Sequence, residues 1–537
     1  MIFDLKIFPD ELDHFGNEYD AVIYKLKTGT SPMRKSASEI GNGSKELRII
    51  KKSVDARKKP HTFLNYKVRV ETKEIFESED NELKSQVLKY MDSDIKMSSR
   101  PVVIGFGPAG MFASLILAEY GLRPLVLDRG SRMDRRLELV NGYREGKDRL
   151  DPETNVQFGE GGAGTFSDGK LFSGISDSFK QYIFDTFADF GAPSDIKYDS
   201  HPHIGTDNLR EVVVRIRERI TELGGEILFG SRVDSLKIDQ GVVTGLSYIS
   251  GEDRIDIDAS DIILATGHSS RDTFKKLYSQ GVMMENKPFS VGVRIEHPRR
   301  DIDIAQYGFD TVNHHDISSA SYKLATDTVT GRKLYTFCMC PGGVVVAGAS
   351  SADHICTNGM SYYSRDDENS NSALLVPVDP EIYGDGVFSG MDFQEMLEKK
   401  AYILGGSDES APSSTFKDFL EKNKPSGFGS VKPSYKPAVR PADLNELFPE
   451  VICETLRDGI KKMGRKIRGF DRDDAVLTAV EARSSSPVRI LRDKGSFMSV
   501  NISGLYPCGE GSGYAGGITS SAIDGIKCAN ALVSKYV

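Results

Sequence analysis

The first residues whose types and spacing imply chemistry are Gly105-Phe106-Gly107-Pro108-Ala109-Gly110. Gly105 permits a tight turn, Gly107 lets backbone approach a pyrophosphate, and Gly110 lets a helix pack close on a sheet. A helix opening behind such a loop directs free N–H groups and partial positive charge at the phosphates. Asp128 follows about twenty residues on, where a carboxylate accepts ribose hydroxyls. This set predicts dinucleotide binding.

The flanking elements must position these residues. Val102, Val103 and Ile104 form a β-branched run that reads as a buried parallel strand. Leu125, Val126 and Leu127 read as a second one, ending at Asp128. Residues 102–118 are largely apolar, but their glycines and proline divide them into strand and helix, so they are not a spanning helix.

Other segments point at the same ligand. Five glycines fall between Gly159 and Gly169. Such density suggests positive φ or close ligand approach, with consecutive N–H groups for an anion or a ring edge. Phe158, Phe166 and Leu171 are placed to anchor that loop to a core. Residues 261–267 read as a buried strand ending in Ala265-Thr266-Gly267, whose small residues let the sheet end meet the dinucleotide. Near the far end, a short strand meets Gly509-Glu510, and Gly516-Gly517 opens a helix of small residues. Its N-terminus is aimed at another electron-rich part of the ligand.

The rest of the chain is read more coarsely. Leu64, Tyr66, Val68 and Val70 alternate as the buried face of a strand. Before them, Lys45, Arg48, Lys51, Lys52, Arg57, Lys58 and Lys59 read as a solvated basic face. Residues 71–96 suggest a linker or surface helix, and residues 131–149 a charged helix. Residues 207–223 predict a helix with Asp207 as N-cap and Leu209, Val213, Ile216, Ile220 and Leu223 on one face. Strands are expected at 226–229, 232–238 and 242–249. Residues 289–296 alternate like an antiparallel strand, and 334–340 with 344–347 suggest a hairpin. Residues 361–372 are polar and suited to covering a site. Residues 407–436 read as an exposed connection and 444–463 as a helix.

Cys338 and Cys340 are expected to share one strand face. An i, i+2 bridge on a strand is strained, so they read as lining or packing cysteines rather than a redox couple. His201/His203 and His314/His315 lack cysteine or carboxylate spacing, so no metal is expected.

Composition sets outer limits. At 537 residues the chain has room for several domains. A net charge of −9 provides no global field to recruit nucleic acid or acidic lipid. Six scattered cysteines are too few for a disulfide framework, and residues 1–6 do not begin a signal peptide. The expected location is the reducing cytoplasm.

The opening motif, the A-T-G at 265–267 and the closing G-E…G-G-I resemble flavoproteins with two dinucleotide-binding domains that hold FAD. More closely, the chain resembles the bacterial FAD-dependent dehydrogenases without an assigned substrate. The strings S-V-D-A-R-K-K-P at 53–60, G-E-G-G-A-G-T-F-S-D-G-K-L at 159–171, F-C-M-C-P-G-G at 337–343, T-N-G-M-S at 357–361 and S-S-S-P-V-R at 484–489 carry this likeness. It implies that Gly105, Gly107, Pro108, Ala109 and Gly110 hold the pyrophosphate, with Asp128 and Arg129 at the AMP ribose. It places Gly164 and Thr165 near the flavin, and Val233 at the adenine. Thr266, Gly267, Gly509 and Gly516 line the site, and Glu510 serves the ribityl chain or a phosphate-linked water. Gly517 and Ile518 offer N–H groups to the flavin O2 and N1 edge.

The implied fold is α/β. A doubly wound, Rossmann-like FAD domain occupies 99–288 and 491–537, with a mainly antiparallel substrate domain inserted at 289–490. A small α/β module at 1–98 precedes it. The implied function is an FAD-dependent oxidoreductase moving a hydride between flavin N5 and a small substrate, with NAD(P)H as a transient reductant. An RNA-modifying flavoprotein and a non-catalytic flavin sensor are the alternatives. Arg294, His297, Cys338 and Cys340 are the substrate-side candidates because they fall in the inserted region.

Overall fold

The computed structural model describes the chain except residues 59–60, 172–173, 175 and 309–316. His314, His315 and Lys59 therefore lie outside the described residues.

The central sheet has five parallel strands, ordered Leu505–Pro507, Ile262–Leu264, Val102–Ile104, Leu125–Leu127 and Glu226–Leu228. Alternate residues of these short strands face opposite layers. Val103, Val126, Ile263 and Tyr506 pack on the helices Pro108–Glu119, Thr206–Glu222 and Ile518–Val533. Val102, Leu125, Leu127 and Ile262 face the antiparallel strands Ser231–Asp239, Val242–Ser250 and Asp253–Asp258. One layer is thus helical and the other is a small sheet. The closing strand pairs beside Ile262–Leu264, although hundreds of residues separate it from the opening one.

A seven-stranded sheet forms the second large body. Its middle strand, Phe289–Pro298, is buried along almost all its length, because it lies between neighbours and under the helices Ser389–Leu404 and Glu450–Gly464. The amino-terminal strands Ile2–Ile7, Glu46–Lys58 and His61–Glu71 form a third, antiparallel sheet with its own core. Four of its basic residues are partnered: Arg48 with Asp80, Arg57 with Asp55, Lys45 with Glu39, and Lys52 with Glu18. Residues 71–96 include the helix Lys73–Val87, and residues 131–149 include the helix Met133–Arg144.

Four local expectations change. The strands Lys333–Cys340 and Val344–Ala347 do not form a hairpin. The first joins the large sheet, and the second pairs with Thr357–Met360. Asp207 sits inside the first turn of its helix rather than at the cap, which is Gly205, and accepts from the Tyr363 N–H at 2.9 Å. Residues 407–436 are not merely an exposed connection. They contain the fully buried strand Ala411–Thr415, where Ser413 Oγ donates to Thr478 Oγ1 at 3.2 Å. The helix expected from 444 begins at Glu450, because Pro449 disfavours helical backbone at Phe448 before it.

Candidate functional site

The site begins where the strand Val102–Ile104 ends. Gly105 has φ +97°, and a Cβ there would stand 2.4 Å from the Ala265 carbonyl oxygen. Only glycine fits this close crossing of neighbouring strand ends. A Cβ on Gly110 would stand 1.9 Å from the Gly105 oxygen, so the helix Pro108–Glu119 lies directly against the turn. Asp128 accepts from Phe106 N–H at 2.8 Å and from Gly130 N–H at 2.9 Å. Burial pushes its carboxyl up, and those two amides oppose the shift.

The glycine-rich segment packs on this turn. Gly161 N–H donates to Phe106 O at 2.9 Å. Fully buried Arg136 holds the segment together. It donates to Asn155 O at 3.0 Å, Val156 O at 3.0 Å, Glu160 O at 2.6 Å and Thr165 Oγ1 at 2.8 Å. The expected charged helix thus supplies an internal clamp that its sequence does not reveal.

At the other end, Gly509 N–H donates to Asp524 at 2.7 Å. Gly517 has φ +128°, and a Cβ there meets nothing within 4 Å. It leads into the helix Ile518–Val533, whose first N–H groups are left open. Glu510 accepts from Gly517 N–H, and burial pushes its carboxyl up to about 7 against the pull of Lys287.

These segments enclose one cavity of about 580 Å³. Gly105, Gly107, Pro108, Ala109, Asp128, Arg129, Gly164, Val233, Thr266 and Gly267 line it, as do Gly509, Glu510, Gly516, Gly517 and Ile518. Gly110 and Thr165 do not. Gly110 serves the helix contact, and Thr165 is buried under Arg136. Arg129 has its charge matched by Glu153 at 2.7 Å and Asp272 at 3.0 Å.

The substrate-side candidates separate. Cys338 lines the cavity, while Arg294, His297 and Cys340 do not. Arg294 is buried behind it in a two-pronged pair with Glu481, at 2.7 and 3.1 Å. His297 bonds the Phe470 carbonyl at 2.7 Å, and burial pushes it down to about 4. The shared-strand-face premise for the cysteines also fails. Cys338 has φ +41°, and the pairing register shifts between Phe337 and Cys340.

Several lining residues carry no local sequence signal. Arg483 pairs with buried Glu398 at 2.8 Å and donates to Ser269 Oγ at 3.0 Å and Ser350 Oγ at 2.6 Å. Arg271 holds the other side of Glu398 at 2.7 and 2.9 Å. Adjacent His268 is pushed down to about 4 by burial and by those two cations. Asp168 pairs with Arg365 at 2.5 and 3.0 Å, with Lys170 3.9 Å away. His201 also lines the cavity, whereas His203 is buried against Tyr363. Residues 361–372 contribute Arg365 to the lining.

Among the described residues one group of metal-ligand type comes together, Cys508, Asp524 and Cys528, with Cys508 at the cavity wall. Arg492 occupies the cation's role there. It donates to Asp524 at 2.6 and 2.9 Å and to Cys528 Sγ at 3.4 Å.

The cavity suits FAD on its own geometry. Its cradle of bare backbone ends at Gly517, where any side chain would project into open space. The uncapped helix N-terminus there suits an acceptor-rich ligand.

The family match agrees. Residues 288–484 match the model described as FAD-dependent protein, C-terminal domain-like. An uncharacterized protein of Clostridium beijerinckii is 44% identical over 514 residues, covering 92% of this chain and 94% of that one. Among solved structures, a halogenase in complex with FAD is 11% identical, covering 82% of this chain and 69% of that one, with a TM-score of 0.36. A geranylgeranyl bacteriochlorophyll reductase-like protein from Thermoplasma acidophilum is 10% identical, covering 81% and 78%, with a TM-score of 0.35. The chain belongs to the family of FAD-dependent proteins that carry this C-terminal domain.

Proposed function

We propose that this protein is an FAD-dependent oxidoreductase that moves a hydride between the cofactor and a small substrate held against the seven-stranded sheet. The observation that carries the reading is the continuity of one cavity from the glycine turn at Gly105–Gly107 to Cys338 and Arg483. Gly105, Gly107, Pro108 and Ala109 would hold the pyrophosphate, Asp128 the ribose, and Val233 the adenine. Gly516, Gly517 and Ile518 would face the flavin ring, and Glu510 the ribityl chain. Bound FAD supplies the hydride acceptor or donor.

The chain's own groups do the rest. The N–H groups that open the helix Ile518–Val533 stabilise negative charge on a ring lying over them. Glu510, held near neutrality, is able to carry a proton at pH 7. The Arg483–Glu398–Arg271 bridge fixes the polar wall between the two sheets. Among the described residues no helix is long and apolar enough to cross a membrane. Residues 1–98, 99–288 with 491–537, and 289–490 are proposed as the module, cofactor and substrate units.

The test is anaerobic mixing of the flavin-loaded protein with NADH and NADPH, then with candidate oxidants. Flavin bleaching by a nicotinamide and its return with a small acceptor are expected. FMN in place of FAD after denaturation, or a flavin that no hydride donor reduces, would sink the reading.

A further inference from the structure

We propose that Cys338 and Cys340 form a redox-active dithiol, in which Cys338 faces the bound cofactor and Cys340 closes a disulfide behind it. This rests on the FAD reading of the cavity. Cys338 lines that cavity, and Cys340 is buried beneath. The strand Lys333–Cys340 bulges between them: Phe337 pairs with Ala373, and the next pair is Cys340 with Asn371. Cys338 has φ +41°, a conformation that non-glycine residues rarely take and that surrounding structure must enforce. The bulge removes the regular alternation that argued against an i, i+2 bridge. Cys340 Sγ donates to the Cys338 carbonyl oxygen at 3.4 Å, so the second thiol is folded back onto the first cysteine.

The enforcing contacts are present. Arg294 donates to Cys338 O at 3.1 Å and to Asn371 Oδ1 at 2.8 Å, and its charge is balanced by Glu481. Glu510, which accepts from Gly517 N–H, lies within electrostatic reach of Cys338. Cys338, Glu510 and Gly517 line the same cavity. The Cys340 thiol, then Arg294 and Lys170, lower the Cys338 thiol to about 6, while Cys340 is pushed up and stays protonated. One nucleophilic thiolate beside one thiol is the state that dithiol chemistry uses.

The step balances. The Cys338 thiolate, the Cys340 thiol and oxidised FAD together carry one thiolate charge and one transferable proton. A sulfur–sulfur bond forms and the Cys340 S–H bond breaks. Two electrons and that proton go to FAD, leaving a disulfide and the reduced, monoanionic cofactor. The reverse step returns both thiols.

The FAD-loaded protein is treated with diamide, freed of it, and titrated anaerobically with dithionite. Four electrons per FAD are expected for the wild type and for Cys453→Ser, and two for Cys340→Ser. Peptide mapping should show a Cys338–Cys340 disulfide before titration and two alkylated thiols after it. Cys340→Ser should keep a long-wavelength thiolate–flavin absorbance that Cys338→Ser lacks. Retained FAD with two electrons per flavin, and both thiols alkylated throughout, overturns the dithiol alone. Failure to retain any flavin overturns the cofactor reading and the dithiol with it.

Discussion

Asp128 accepts a hydrogen bond from Phe106 N–H at 2.8 Å, so the end of the second parallel strand holds the glycine turn that follows the first. Its other oxygen accepts from Gly130 N–H at 2.9 Å. A carboxylate that faces the cavity therefore also shapes it.

Asp128→Ala should weaken folding as well as cofactor retention. Each buried amide left without an acceptor costs about 1–3 kcal/mol. Asp128→Asn, which keeps one carbonyl acceptor, should fall between the two. Urea unfolding of the flavin-free proteins measures the structural part, and flavin titration measures the rest. Wild-type stability in Asp128→Ala would show that these bonds contribute nothing.

Gly110 and Gly517 should fail in different ways. Gly110→Ala places a Cβ 1.9 Å from the Gly105 oxygen, away from the cavity. Overpacking of this kind costs about 1–3 kcal/mol. The Cβ of Gly517→Asp meets no atom within 4 Å, but φ of +128° strains any side chain there, and the carboxylate puts a negative charge in the cavity. It should weaken FAD binding by about tenfold, the factor given by 1.4 kcal/mol. The thermal midpoint and FAD affinity, measured on both variants, separate the effects. Identical losses of both quantities in the two variants would contradict this division.

Glu398→Ala should be severe, because it strands the buried Arg483 guanidinium and the partly buried Arg271 one. Arg271 and Arg483 both pair with this carboxylate, at 2.7 and 2.8 Å. Breaking one side of a buried ion pair costs about 3–5 kcal/mol. Chemical denaturation is the measurement, and a loss under about 1 kcal/mol, as at exposed pairs, would refute the assignment.

Acid should destabilise the flavin-free protein through its buried histidines. His203, His268 and His297 are each pushed from 6.5 down to about 4, chiefly by burial. The unfolded chain binds more protons between these values, so their contribution is full above 6.5 and lost as pH falls through 4. Glu510 has the opposite sign. Its carboxyl is raised from 4.5 to about 7, so its contribution is full below 4.5 and lost as pH rises through 7. His297→Gln should make the acid limb shallower, and Glu510→Gln should flatten the decline toward neutrality. Unfolding midpoints across this range, unchanged in slope for both variants, would show that these groups do not titrate as described.

The cofactor cradle was legible because its constraints are local. A β-branched run, glycines at fixed spacing and an acid at the next strand end each report on a few neighbouring residues. Glycines 105 and 110 have their reasons in contacts with adjacent backbone. Even the closing segment carries a strand, a glycine pair and a helix face in its own residues.

Tertiary structure alone decided the rest. The Ala411–Thr415 strand hides in a serine- and proline-rich segment because its polar side chains find partners only in the assembled sheet, as Ser413 does at Thr478. The strand after Gly343 leaves the expected hairpin to pair with Thr357–Met360. Arg136 looked like one charge among many on a helix until its acceptors, the carbonyls of residues 155–160, folded around it. Arg483 and Glu398 are 85 residues apart, and nothing near either one marks the pair. Strand and helix periodicity is written in neighbouring residues, whereas a buried charge is paid for by whichever distant segment the fold brings to it.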